Sequence, residues 1–74
     1  MNHRYYFFSV RLTYQEFLHY YQGNVSHVQV RLTTGQQLQL PAARLRPFLS
    51  HSGINGQFRL TTDERNKFIR LERL

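Results

Sequence analysis

The sequence predicts a mainly β domain of the α+β class. It is a small, strongly curved five-stranded antiparallel sheet or barrel in the order strand-helix-strand-strand-strand-strand, with a single-turn helix near residues 41–46. Three observations carry this. Apolar residues recur with period two over residues 5–12, 28–32, 38–40 and 57–61, as on half-buried strands. The period changes to 3.6 over one short stretch, residues 13–23. A single helix cannot cover both sides of a flat five-stranded sheet, so the sheet must curl to bury its inner set.

Residues 5–12 form the first strand, with Tyr6, Phe8, Val10 and Leu12 on one face and Tyr5, Phe7, Ser9 and Arg11 on the other. Both faces begin with aromatics, so the outer one is expected to be covered, either within the chain or by a second copy. Thr13-Tyr-Gln-Glu16 matches a capping box, with Leu12 and Phe17 at the positions of a hydrophobic staple. Tyr14, Phe17, Leu18 and Tyr21 then share one helical face, and Gly23 is expected to end the helix in a left-handed conformation.

From residue 25 the period returns to two. Val28, Val30 and Leu32, then Leu38 and Leu40, flank the turn Thr33-Thr34-Gly35-Gln36 and predict a hairpin. Pro41 ends strand pairing. Residues 41–48 read as one helical turn stopped at Arg46 by Pro47. Leu49 to Gly56 is a loop, Gln57 to Thr61 a fourth strand with Phe58 and Leu60 inward, and residues 62–67 a polar turn. The last strand, Phe68 to Leu74, has an ambiguous phase: Ile69 and Leu71 share the core face only if Phe68 and Leu74 point away, which predicts a bulge or a frayed end.

Quoted in order, Tyr5-Tyr6-Phe7, Tyr20-Tyr21-Gln22-Gly23, Leu40-Pro41-Ala42, Leu45-Arg46-Pro47-Phe48, Gly53-Ile54, Gly56-Gln57-Phe58-Arg59-Leu60, Lys67-Phe68 and Leu71-Glu72-Arg73-Leu74 resemble a short bacterial family of uncharacterised proteins, domain of unknown function 2835. The resemblance runs along nearly the whole chain. It implies a bacterial source and a stand-alone domain, and it carries over no activity and no catalytic residue.

Seventy-four residues with 41% hydrophobic content make one folded domain, residues 1–74, too short to enclose a deep substrate cleft. There is no cysteine, which excludes disulfides and thiolate chemistry. No apolar run reaches a signal-peptide core or the ~20 residues of a membrane span, so a cytoplasmic domain without membrane contact is expected. The four histidines, His3, His19, His27 and His51, lack metal-ligand spacing. Ser50-His51-Ser52 lacks a nucleophile elbow, and Asp63-Glu64 falls in a turn. No enzyme activity, metal or cofactor is expected.

The charge is the sharpest signal. Ten basic residues face four acidic ones for a net +6, and nine of the ten are arginine, the side chain whose planar fork fits phosphate and carboxylate. Arg31, Arg59 and Arg70 point outward from strands beside Gln29, Gln37, Gln39 and Gln57, as on small barrels that bind nucleic acid. Arg44 and Arg46 flank Leu45 on a proline-bounded turn, where they either grip an anion or face water while Leu45 and Phe48 pin the turn. A nucleic-acid-binding module using Arg31, Arg59, Arg70, Arg44 and Arg46 is the leading expectation. The alternative is a protein–protein interaction module or homodimer through Tyr5, Phe7 and Tyr20, and a small-anion sensor is third.

Overall fold

The computed structural model describes residues 2–23 and 26–74. Its elements are β1 (Arg4–Leu12), α1 (Tyr14–Gln22), β2 (His27–Arg31), β3 (Gln37–Pro41), α2 (Ala42–Leu45) running into a 3-10 turn (Arg46–Phe48), β4 (Ile54–Thr62) and β5 (Phe68–Arg73). The element order is the one the sequence predicts. The expected start of the second strand at residue 25 lies outside the described residues.

The single curved sheet or barrel does not form. The strands make two antiparallel sheets, β1-β4-β5 and β2-β3. They meet at one bridge, Phe8 with Leu32, beside a hydrogen bond from Thr33 N to Phe7 O of 2.9 Å. The reason lies in α1, which packs against β1, β2 and α2. It fills the space between the end of β1 and the start of β2, so only the Leu32 end of β2 reaches β1. On the opposite side, β3 and β5 each lack a further neighbour among the described residues. An open groove of about 290 Å³ lies there, lined by Tyr6, Leu38, Leu40, Leu60, Phe68 and Arg44 among others.

The core is built from the inward set of both sheets and the two helices. Phe8, Phe17, Leu45, Ile54 and Phe58 are fully enclosed. Phe8 and Phe58, neighbours across β1 and β4, stack with centroids 5.9 Å apart, and Phe48 meets Phe58 edge-on at 5.1 Å. Both geometries suit the aromatic quadrupole.

The capping box at the start of α1 is complete: Glu16 N donates to Thr13 Oγ1 at 3.0 Å, and Thr13 N donates to Glu16 Oε1 at 2.8 Å. The inward face of α1 is rotated from the expected one. Phe17 is its buried centre and Tyr20 packs against the core, whereas Tyr14 and Tyr21 stay exposed. Tyr21 instead stacks on the outside of Phe17 at 5.5 Å. The aromatic stripe is wider than the surface one short helix can bury. Gly23 does not turn left-handed; it leaves the helix in an extended conformation, φ −87 and ψ −176.

Arg46 remains helical, φ −53 and ψ −42, so Pro47 tightens α2 into a 3-10 turn and does not stop it at Arg46. The fourth strand begins at Ile54, three residues earlier than expected, because β1 offers partners as far as Leu12. In β5 the expected bulge is present, a register shift opposite Thr61 and Thr62. It settles the ambiguous phase: Leu71 pairs with Leu60 and Phe68 with Thr62, so Phe68 turns toward the core while the bulged Ile69 is exposed.

Candidate nucleic-acid interface

The outer face of the β1-β4-β5 sheet is set by alternation. The register aligns Phe7, Arg59 and Glu72 in one row and Tyr5, Thr61 and Arg70 in the next. Ser9 and Gln57 follow, then Arg11 and Asn55. Each side chain on this face occupies an odd position of β1 or β4, or pairs with one from β5. Arg59 and Arg70 are therefore brought together by β4–β5 pairing, and Tyr5 and Phe7 join them by β1–β4 pairing.

Glu72 is the hub of the face. Arg59 Nη2 and Nε donate to its Oε1 at 2.8 and 3.2 Å, and Arg70 Nε donates to the same oxygen at 3.3 Å. These bonds, that of Arg59 foremost, hold the Glu72 carboxyl below its usual range against the opposing effect of burial. The Arg59 guanidinium also lies 5.5 Å from the centre of the Tyr5 ring, within cation–π range. Two guanidiniums on one carboxylate leave a net positive charge and unused donors on both forks. Tyr5 and Phe7 stand 50% and 41% exposed beside them.

Between Tyr5 and Arg70 in the second row lies Thr61. It sits at an outward position yet is fully buried, and its hydroxyl has no hydrogen-bond partner among the described residues. Thr61 on β4 is covered, whereas the outward aromatics of β1, Tyr5 and Phe7, remain exposed.

The remaining candidates lie elsewhere. Arg31 is exposed on the β2-β3 hairpin, opposite Gln37, whose side-chain oxygen accepts a hydrogen bond from Gln29 Nε2. Leu45 is buried and Phe48 packs against the core, so they pin the α2 turn while Arg44 and Arg46 are exposed. Arg44 is further held with its guanidinium carbon 3.9 Å over the Phe68 ring. Tyr20 is half-buried against the core and does not join Tyr5 and Phe7. Of the eight sequence candidates, Arg59, Arg70, Tyr5 and Phe7 converge; Arg31, Arg44, Arg46 and Tyr20 do not.

Glu72 is the member of the face that sequence reasoning passed over. The signal was its position two residues after Arg70 on the same strand face. Of the adjacent acids Asp63 and Glu64, Asp63 has a local role: its Oδ1 accepts from Arg65 N at 2.8 Å and Lys67 N at 2.9 Å, fastening the β4–β5 turn, in which Asn66 takes a positive φ of 63. These bonds, led by that from Lys67, hold the Asp63 carboxyl low. Among the described residues, no three metal-ligating side chains come together. Ser50 spends its hydroxyl on Gly53 O at 2.9 Å.

The fold and this face define a small, basic, mainly β domain that presents an aromatic and arginine-bearing sheet surface. The chain belongs to the family described as protein of unknown function, DUF2835, whose family model matches residues 4–74. No curated protein and no solved structure matches it. No helix is long and apolar enough to cross a membrane.

Proposed function

We propose that this chain is a non-enzymatic binding module that holds single-stranded nucleic acid against the outer face of the β1-β4-β5 sheet. Arg59 and Arg70 take phosphates, while Tyr5 and Phe7 offer stacking surfaces to bases. The observation that carries the reading is the convergence of those four residues on one sheet face. Nucleic acid is favoured over an acidic protein because two exposed stacking rings on β1 lie beside guanidinium forks on β4 and β5, a combination that suits bases and phosphates together. The absence of cysteine supports a cytoplasmic location as part of this proposal.

Fluorescence anisotropy with a labelled ten-nucleotide oligouridylate or oligothymidylate, titrated from 50 to 200 mM salt, tests it. Binding that weakens steeply with salt is expected, with a loss of about tenfold for Tyr5→Ala or Phe7→Ala. Binding absent at low salt, or equal in the Arg59→Gln, Arg70→Gln double variant, overturns it. A second reading, a homodimer through the same face, draws on the exposure of Tyr5 and Phe7 and of Ile69 at the adjacent bulge. Light scattering that gives a dimer, lost in Phe7→Ala, would favour it.

A further inference from the structure

The groove between β3 and β5 is a separate surface, with chemistry unlike that of the sheet face. Its wall is the whole of β3: Gln37, Leu38, Gln39, Leu40 and Pro41 all line it. Leu32 N donates to Gln36 O at 2.7 Å and Ala42 N to Ser26 O at 2.8 Å. In an antiparallel ladder this phase makes Leu38 and Leu40 the residues bonded to β2. Gln37 and Gln39 therefore direct their backbone N–H and C=O away from β2, toward the groove. Pro41 occupies the next position of the same phase, where its missing N–H costs β2 nothing.

This edge is blunted only at its Pro41 end, where the groove-facing N–H is missing. Natural edge strands are also protected by charges, bulges or a covering element. Between β2 and β3 the register is unbroken, the outward side chains of β3 are neutral glutamines, and no strand covers it among the described residues. The groove floor is apolar, with Tyr6, Leu60 and Phe68 facing Leu38 and Leu40. Five residues at 3.4 Å make an edge about 17 Å long, the length of a short extended peptide.

Charge selects among peptides. Among the described residues, Arg44 is the one charged side chain lining the groove, and no carboxylate lines it. Its stacking on Phe68 fixes the guanidinium at the wall, where a carboxylate on an incoming strand would meet it. A single cation is too little for a nucleic-acid backbone, whereas exposed amide donors and acceptors on alternate residues match another main chain. We propose that the β3 edge is a docking site for an extended, acidic segment of a partner protein, which adds as a strand beside β3, sets alternate apolar side chains on Tyr6, Leu60 and Phe68, and places a carboxylate on Arg44.

A phage-displayed library of random ten-residue peptides, selected on the intact protein and followed by isothermal titration with the selected peptides, tests this. The expected outcome is enrichment of sequences that alternate apolar residues and carry Asp or Glu. Arg44→Gln should weaken their binding by about tenfold. Gln39→Pro should weaken it by about fivefold, because it deletes a groove-facing N–H while leaving the ladder to β2 intact. Circular dichroism melts establish that both variants are folded, and Gln37→Pro serves if Gln39→Pro is not. Phe7→Ala should leave peptide affinity unchanged, which separates this site from the nucleic-acid face. Recovery of no binder, binders without acidic residues, or binders indifferent to both substitutions overturns the proposal.

Discussion

One oxygen of Glu72 receives both the Nη2 and the Nε hydrogens of Arg59 across the β4–β5 ladder, at 2.8 and 3.2 Å. The pairing holds the guanidinium plane beside the Tyr5 ring, so the carboxylate arranges the basic face at the same time as it offsets its charge. Replacing Glu72 by Gln keeps a hydrogen-bond acceptor and removes the charge. Oligonucleotide affinity at 50 mM salt is expected to rise about threefold to tenfold, with a steeper salt dependence. Thermal stability should change little, since both side chains of the pair are more than a third exposed. Anisotropy titrations and a melting curve on the same preparation check this.

Asp63 and Glu72 both have carboxyls held below their usual range. The unfolded chain therefore takes up protons at a higher pH than the folded one. Their contribution to stability is complete above the unfolded carboxylate range. It is lost as pH falls below about 4, through the lower folded values. Melting temperature should hold steady from neutral pH down to that point and then decline, and Asp63→Asn should flatten the decline. Calorimetric melts in 0.5-unit pH steps measure it.

Gly53 has a φ of +97, and a Cβ there would lie 1.9 Å from Leu12 O. Alanine at this position meets a strained conformation and a backbone clash at once, where the end of β1 meets the start of β4. A loss of about 3 kcal/mol or more is expected. Gly35, with φ +95 in the β2–β3 turn, has nothing within 4 Å of the same atom, and alanine there should cost only about 1 kcal/mol. Urea denaturation of the two variants gives the contrast directly.

Thr61, paired between Tyr5 and Arg70, has a buried hydroxyl without a partner among the described residues. Valine has nearly the same shape and removes the unsatisfied group. Thr61→Val is expected to stabilise the fold by about 1 kcal/mol, or about 4–8 °C in melting temperature for a domain of this size. An unchanged or lowered melting temperature would mean that water reaches the hydroxyl.

Much of the fold was legible in the chain. Period two marked the first four strands, the Thr13–Glu16 capping box marked the helix start, and Pro41 marked where the short turn begins. Within the candidate face, Arg59 and Arg70 were readable as outward because strand alternation alone sets direction. Tyr20 was misplaced because two adjacent tyrosines flank Phe17 on the helix, and only the packing of α1 chooses between them. Phe68 was misplaced because the bulge at Ile69 shifts the phase, and the force that fixes a bulge is the register with β4, which lies outside the strand itself.

The amino-acid sequence by itself determined a small basic domain with these elements in this order, since propensity, capping and periodicity act over a few residues. Tertiary structure alone decided that the sheet splits where α1 wedges between β1 and β2, leaving β3 and β5 with open edges. It alone set Tyr5, Phe7, Arg59 and Arg70 on one face around Glu72 while sending Arg31, Arg44 and Arg46 elsewhere. Those outcomes depend on which strands pair and in what register. The pairing energy is summed over contacts between distant segments, and no local pattern encodes it.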